Sequence, residues 1–379
     1  MEELIKKAEQ GDAEAQYELA HAYDHGEGIE INYDEAFKWY KLSAEQGHVK
    51  AQNNLAGCYC NGKGTEINIQ EALKWYNIAA ENGCTLAQYN LGMLYRESEV
   101  KKLDLSIYWL LQAATQGDID AQYNIAYIFY EEKDFKKAFH WFLEAAKQGD
   151  DTSQYICSVF YRDGLVTEKD LVESFKWLKL AAEQENAIAQ RWLGTYYLKG
   201  YGISIDIDEA FKWYNMAAIN GHAEAQYVLA NFYFYGEVVK KDINEAFKWY
   251  KLSADQGDKR AQNCVGVCYL DGIGTEVNKE EGFNWFRKSA EQGFDEAQYN
   301  LALCYHEGDG VEKNMTEAFN WYKKAAEQDY DCAQYNLGIM YLDGDGIEED
   351  LSLAKYWLEK AAEQGLKEAK EVLDEIHEE

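Results

Sequence analysis

The sequence predicts an all-α solenoid of about ten helix-turn-helix repeats with a capping helix at each end. Three observations carry this expectation. Tryptophan recurs at Trp39, Trp75, Trp109, Trp141, Trp177, Trp213, Trp249, Trp285, Trp321 and Trp357, in steps of 36, 34, 32 and then six of 36. An Ala-Gln pair marches in phase from Ala15-Gln16 to Ala333-Gln334, with Ser153-Gln154 as a variant. Glycines punctuate the intervals, as Gly26, Gly28 and Gly47 do in the first copy. A fixed period in this range marks stacked units that bury their apolar faces on one another.

Taken in order, Leu4 to Gly11 matches the end of a second helix, so residues 1–11 form a leading half-repeat. The first full copy opens with Asp12 to Tyr23, where Ala15, Leu19 and Tyr23 share one helical face at four-residue steps. Gly26 and Gly28 break that helix, because glycine tolerates positive backbone angles. Tyr33 to Gln46 is again helical, with Ala36, Phe37, Trp39, Tyr40 and Ala44 as a broad aromatic face, and Gly47 ends it. The repeated tryptophan is expected to be a packing residue, with truncation to alanine costing on the order of 3–5 kcal/mol. The middle, residues 97–170, is irregular. Glu97-Ser98-Glu99-Val100-Lys101-Lys102 and then Glu131-Glu132-Lys133-Asp134 replace the double-glycine turn, and the next copy keeps only Gly164. A local change in superhelix curvature is expected there. Residues 366–379 read as a polar C-terminal cap, with Ala369 and Leu373 in the slots of Ala15 and Leu19. The whole chain, 1–379, therefore reads as one solenoid of ten helix pairs between two capping helices.

Bulk properties narrow the partners. The net charge of −31 argues against duplex nucleic acid and anionic membranes, and fits a basic protein partner. No apolar run approaches the ~18 residues of a membrane span. The start, Met1 to Lys7, lacks the regions of a secretion signal, so a cytoplasmic protein is expected. The eight cysteines do not follow the repeat and are expected to be reduced thiols. Proline is absent, which closely stacked helices tolerate.

The string Ala333-Gln334-Tyr335-Asn336-Leu337-Gly338, then Tyr341, Gly344, Gly346, Trp357 and Ala361-Ala362-Glu363-Gln364-Gly365, resembles the Sel-one-like repeat (SLR) family, a relative of the tetratricopeptide repeats. The resemblance covers nearly the whole chain. It implies an α-solenoid whose first helices line a concave face, and adaptor or scaffold work on a protein or peptide. The weak hydrolase activity of a cysteine-rich branch is not carried over, because this chain lacks that branch's regularly spaced cysteine pair.

By similarity to tetratricopeptide repeats, the inward positions lie one before the anchor alanine and two, three, six, nine and ten after it. Two after, the chain reads Tyr17, Asn53, Tyr89, Tyr123, Tyr155, Arg191, Tyr227, Asn263, Tyr299 and Tyr335. Three after, Asn54, Asn90, Asn124, Asn300 and Asn336 fall where related repeats bind the backbone of an extended peptide. The alternative is that these residues only tie neighbouring helix pairs together. Tyr123, Tyr127 and Tyr130 cluster on one helix, Asn231, Phe234 and Tyr235 on another, and Arg96, Arg162, Arg191 and Trp192 fall between. Four of only five arginines (Arg96, Arg162, Arg191 and Arg260) occupy inward positions, although the sixty inward slots together are net −6. Arginine and aromatic residues are enriched at binding hot spots. The expectation is a mixed groove with local arginine anchors, suited to a peptide or protein surface bearing carboxylates.

No enzymatic or cofactor motif appears. His21 and His25 have zinc-like spacing, but Ala22 stands where a metalloprotease glutamate belongs. Cys268 and Cys304 occupy a packing slot filled elsewhere by Ala22, Leu94 and Phe160, and Asp343-Gly344-Asp345-Gly346 lacks the final glutamate of a calcium loop. No metal or cofactor is expected. The leading reading is a non-enzymatic scaffold. The alternatives are an inhibitor or immunity protein clamping a basic toxin or enzyme, and a hydrolase.

Overall fold

The computed structural model describes residues 1–97 and 102–378. Among them the chain is all-helical. A leading helix α1 (Glu2–Glu9) is followed by α2 (Ala13–His25), α3 (Tyr33–Glu45), α4 (Val49–Asn61), α5 (Ile69–Glu81), α6 (Thr85–Glu97) and α7 (Leu103–Thr115). Then come α8 (Ile119–Glu131), α9 (Phe135–Lys147), α10 (Asp151–Asp163), α11 (Leu171–Glu183), α12 (Ala187–Lys199), α13 (Ile207–Ile219) and α14 (Ala223–Tyr235). The series closes with α15 (Ile243–Asp255), α16 (Lys259–Asp271), α17 (Lys279–Glu291), α18 (Asp295–Glu307), α19 (Met315–Ala326), α20 (Asp331–Asp343), α21 (Leu351–Glu363) and α22 (Lys367–Glu378). Ten helix pairs thus stand between α1 and α22. The chain divides into two compact units, residues 1–181 and 182–379. Among the described residues no helix is long and apolar enough to cross a membrane.

Local chemistry sets each boundary. Asp12 opens α2 by accepting the Ala15 N–H at 2.8 Å, and Asn32 opens α3 through the Glu35 N–H at 3.1 Å. Gly26 closes α2 in the left-handed conformation, φ 74°. The second glycine of the turn answers a different need. A Cβ on Gly64 would lie 2.1 Å from the Tyr33 carbonyl oxygen, so the turn packs onto the start of the preceding second helix. Where α8 meets α9 that glycine is gone, the turn is shortened, and Lys133 takes the left-handed φ of 62°. Of the turn before α7, residues 98–101 lie outside the described residues.

The Ala-Gln signature turns out to be a polar seam. The glutamine is buried in every copy. Its amide donates to a carbonyl eight residues back, Gln16 to Ala8 at 3.0 Å and Gln226 to Ala218 at 3.1 Å. Its own carbonyl accepts from the amide side chain at the end of the following second helix, as from Gln46 at 2.7 Å, Gln256 at 2.8 Å and, where asparagine stands there, Asn220 at 3.0 Å. A buried amide satisfied on both sides joins three helices at no desolvation loss.

The tryptophan ladder is packing, but less deep than the sequence implies. Trp109, Trp285 and Trp357 are buried, whereas the other seven are half-buried. The deeper residue is the next one along: Tyr40, Tyr76, Leu110, Phe142, Leu178, Tyr214, Tyr250, Phe286, Tyr322 and Leu358 are never more than 7% exposed. At 3.6 residues per turn the two neighbours point about 100° apart, so one faces the first helix while the other covers its edge.

Candidate partner-binding site

In the unit of residues 1–181, the first helices supply two cavities. The larger, about 500 Å³, is polar and lies across α2, α4 and α6. Ten of its thirteen lining residues come from the inward slots, among them Tyr17, His21, His25, Asn53, Asn54 and Asn90. The His21 and His25 rings stack at 4.1 Å, and Asp24 holds Lys63 at 3.0 Å. Asn90 donates to Asn53 at 3.1 Å, and Asn53 to Asn54 at 3.1 Å. The asparagine row therefore does tie successive repeats here, as the structural alternative requires.

The smaller cavity, about 260 Å³, is apolar and lies among α8, α9 and α10. Tyr127, Tyr130, Tyr155, Ile156, Val159 and Leu165 surround it, with Phe142 and Phe160 beneath. Its mouth is open: Tyr127, Tyr130 and Leu165 are 40%, 42% and 42% exposed. Tyr123 packs behind it, edge-on to Phe142 at 5.9 Å. The structure thus brings Tyr127 and Tyr130 together around a cavity and adds Tyr155, Ile156, Val159 and Leu165. A signal for the last was present: Gly164-Leu165-Val166 sets apolar residues where Gly26-Glu27-Gly28 stands in the first copy.

The arginines are not vacant anchors. Beside the apolar cavity, Arg96 sits 5.8 Å from the Tyr127 ring and donates to Asn124 and Glu131, each at 3.4 Å. Arg162 grips Asp163 with two hydrogen bonds of 2.7 and 2.9 Å. In the unit of residues 182–379, Arg191 pairs with Glu224 and stacks on Trp192 at 4.3 Å. Arg260 holds Asp258 at 2.7 Å and stacks on Tyr227 at 4.5 Å. Each of the four already has a carboxylate of its own chain. A partner's carboxylate would therefore have to displace one already in place, because paired charges must be released before they bind another.

Asn231, Phe234 and Tyr235 divide similarly. Asn231 accepts the Tyr250 hydroxyl at 2.5 Å, a packing task that Thr195 performs for Tyr214 one repeat earlier at 2.8 Å. Phe234 lies against Tyr235 and Tyr250, under Lys241. Tyr235 is 65% exposed.

Among the described residues no three histidine, cysteine or acidic side chains converge to hold a metal ion. All eight cysteines are free thiols. Burial pushes Cys58, Cys157, Cys264 and Cys304 up to about 12 and Cys268 up to about 11, which keeps them protonated and unreactive near neutrality.

Comparison with known proteins agrees with this architecture. The Sel1 repeat model matches residues 13–48, 49–84, 85–118, 119–150, 152–186, 187–222, 223–258, 259–294, 295–330 and 333–366. No curated protein matches the chain. Among solved structures, the chain is 32% identical to a protective antigen present in uropathogenic Escherichia coli strains that displays an SLR fold. That match covers 98% of this chain and 82% of the other, with a TM-score of 0.87. It is also 32% identical to a Sel1 repeat protein from Oxalobacter formigenes, over 63% of this chain and 96% of that one, with a TM-score of 0.57. With the repeat evident in its sequence, its helix pairs and its relatives, the chain belongs to the Sel1 repeat family, a set of tetratricopeptide-like α-solenoids.

Proposed function

We propose that the chain is a non-enzymatic scaffold that grips a partner protein or peptide, with the apolar cavity at α8–α10 as its anchor point. The observation that carries this reading is the open mouth of that cavity. A soluble protein ordinarily covers such aromatic surface, and an aromatic pocket with exposed walls is the form binding hot spots take. One large apolar side chain buried there contributes about 1.5–3 kcal/mol. The chain as a whole carries a net charge of −31, so the favoured partner presents an apolar side chain flanked by basic residues.

The test is affinity capture by the full chain, compared with a variant carrying Tyr130→Ser and Leu165→Ser. Both residues sit at the mouth, outside the packed core. Recovery of the captured protein is expected to fall at least about tenfold, equivalent to 1.4 kcal/mol. Equal recovery by both proteins would remove the cavity from the reading, and no capture above background would remove the scaffold itself.

A second reading is favoured by the charge balance: an inhibitor or immunity protein whose acidic face clamps a basic toxin or enzyme. The arginines that would blunt such a face are already neutralised within the chain. One stoichiometric partner with steeply salt-dependent association would select this reading over an adaptor with several weak partners.

A further inference from the structure

Three consecutive first helices in the unit of residues 182–379 converge on one carboxylate. Glu224, at the start of α14, lies between Arg191 of α12 and Arg260 of α16. The two carboxylate oxygens face different guanidinium groups: Oε2 contacts Arg191 Nη2, and Oε1 lies 3.9 Å from Arg260 Nη1. Both guanidinium groups are held from behind. Arg191 stacks on Trp192, and Arg260 stacks on Tyr227 while donating to Asp258, the residue that caps α16. Two of the chain's five arginines are committed to this one point.

We infer that Arg191 and Arg260 form a carboxylate-binding site whose resident occupant is Glu224, and that a carboxylate of a bound partner exchanges with it. This rests on the scaffold reading and names a chemistry that the acidic surface would otherwise exclude. The charges favour exchange. Arg191, Arg260, Glu224 and Asp258 sum to zero, so when Glu224 swings into solvent the two arginines and Asp258 are left net +1, complementary to one incoming carboxylate. The geometry favours it too. The Glu224 side chain is 33% exposed and that of Arg260 36%, so ligand and departing glutamate both have a path, whereas Arg191, at 13%, is a fixed wall. Stacking and the Asp258 contact pre-orient both forks, which reduces the ordering cost of binding.

The experiment uses the arginine Nε–Hε signals of the full, isotope-labelled chain, at most five in number. Sodium acetate is the probe, with sodium chloride at equal ionic strength as control. In Glu224→Gln the Arg191 and Arg260 signals are expected to shift saturably with acetate, at a concentration at least about tenfold lower than in the unaltered chain. Adding Arg191→Lys should abolish the saturable shift, since a single ammonium does not replace a planar fork. If the Arg191 and Arg260 signals of Glu224→Gln move with acetate no more than that of Arg287, the site is only an inter-helix tie and the inference is overturned. If that variant loses helicity, the unaltered chain decides at high acetate: saturable movement of the same two signals supports exchange, and movement matched by chloride overturns it. Because no partner protein enters this titration, its failure is separate from failure of the capture experiment.

Discussion

Tyr322 is fully buried, while Trp321 beside it keeps one face at the surface beneath Lys324, whose ammonium lies 3.5 Å from the ring centre. The larger and more conspicuous side chain therefore carries less of the core. Truncation cost follows the buried apolar surface removed and the cavity left behind, not side-chain size. Tyr322→Ala is expected to cost about 3–5 kcal/mol, and Trp321→Ala about 1–3 kcal/mol. Chemical denaturation of both variants, with hydrogen exchange to localise the effect on α19 and α20, checks the ranking. A larger loss for Trp321→Ala would show that the exposed edge contributes more than its burial implies.

Among the first helices, α4 and α14 begin on a histidine cap. Asp12, Asp118, Asp150, Asn186 and Asp258 cap the equivalent helices, but α4 uses His48, whose Nδ1 accepts the Ala51 N–H at 3.1 Å, and α14 uses His222, whose Nδ1 accepts the Ala225 N–H at 3.4 Å. Burial lowers the His222 pKa from its ordinary 6.5, and the neighbouring Arg191 lowers it further. Capping through the nitrogen lone pair requires the neutral ring. Below pH 6.5 the unfolded chain binds a proton that the folded chain resists, so this contribution is complete above 6.5 and is lost as pH falls through the lowered folded value. Between pH 7.5 and about 5.5, exchange protection at the first turn of α14 is expected to fall. His222→Asn keeps a capping side chain and removes the titration, so its protection should change much less. An equal fall in both proteins would assign the effect to other groups.

Across the whole molecule, local and global electrostatics oppose one another. Most second helices carry an exposed glutamate-lysine pair three residues apart, such as Glu35–Lys38, Glu71–Lys74 and Glu209–Lys212. Each such pair contributes only about 0.3–0.5 kcal/mol. The surplus of 31 negative charges repels throughout and is screened over about 10 Å at 0.1 M salt. Repulsion wins on this count, and the urea midpoint for loss of helix is expected to rise between about 20 and 300 mM NaCl. A falling midpoint would show that the ion pairs outweigh the surplus.

Repeat number, helix boundaries and both caps were legible in the sequence. A solenoid repeat meets the same neighbour at every step, so an identical packing demand returns at a constant interval and leaves a visible period. Tyr127 and Tyr130 were legible as site candidates for the converse reason: they stand where that period is broken. Only the tertiary structure decided what each conspicuous residue does. Gln16 and its equivalents became a buried seam, Trp321 yielded the core to Tyr322, and Asn231 went to the Tyr250 hydroxyl. The arginines acquired the carboxylates of Glu131, Asp163, Glu224 and Asp258. Glu131 and Glu224 lie 35 and 33 residues from the arginines they hold, whereas Asp163 and Asp258 are sequence neighbours that only rotamer choice brings into contact. Periodicity reports which face a residue occupies, but the pairing of charges on that face depends on distances of a few ångströms that only packed helices define.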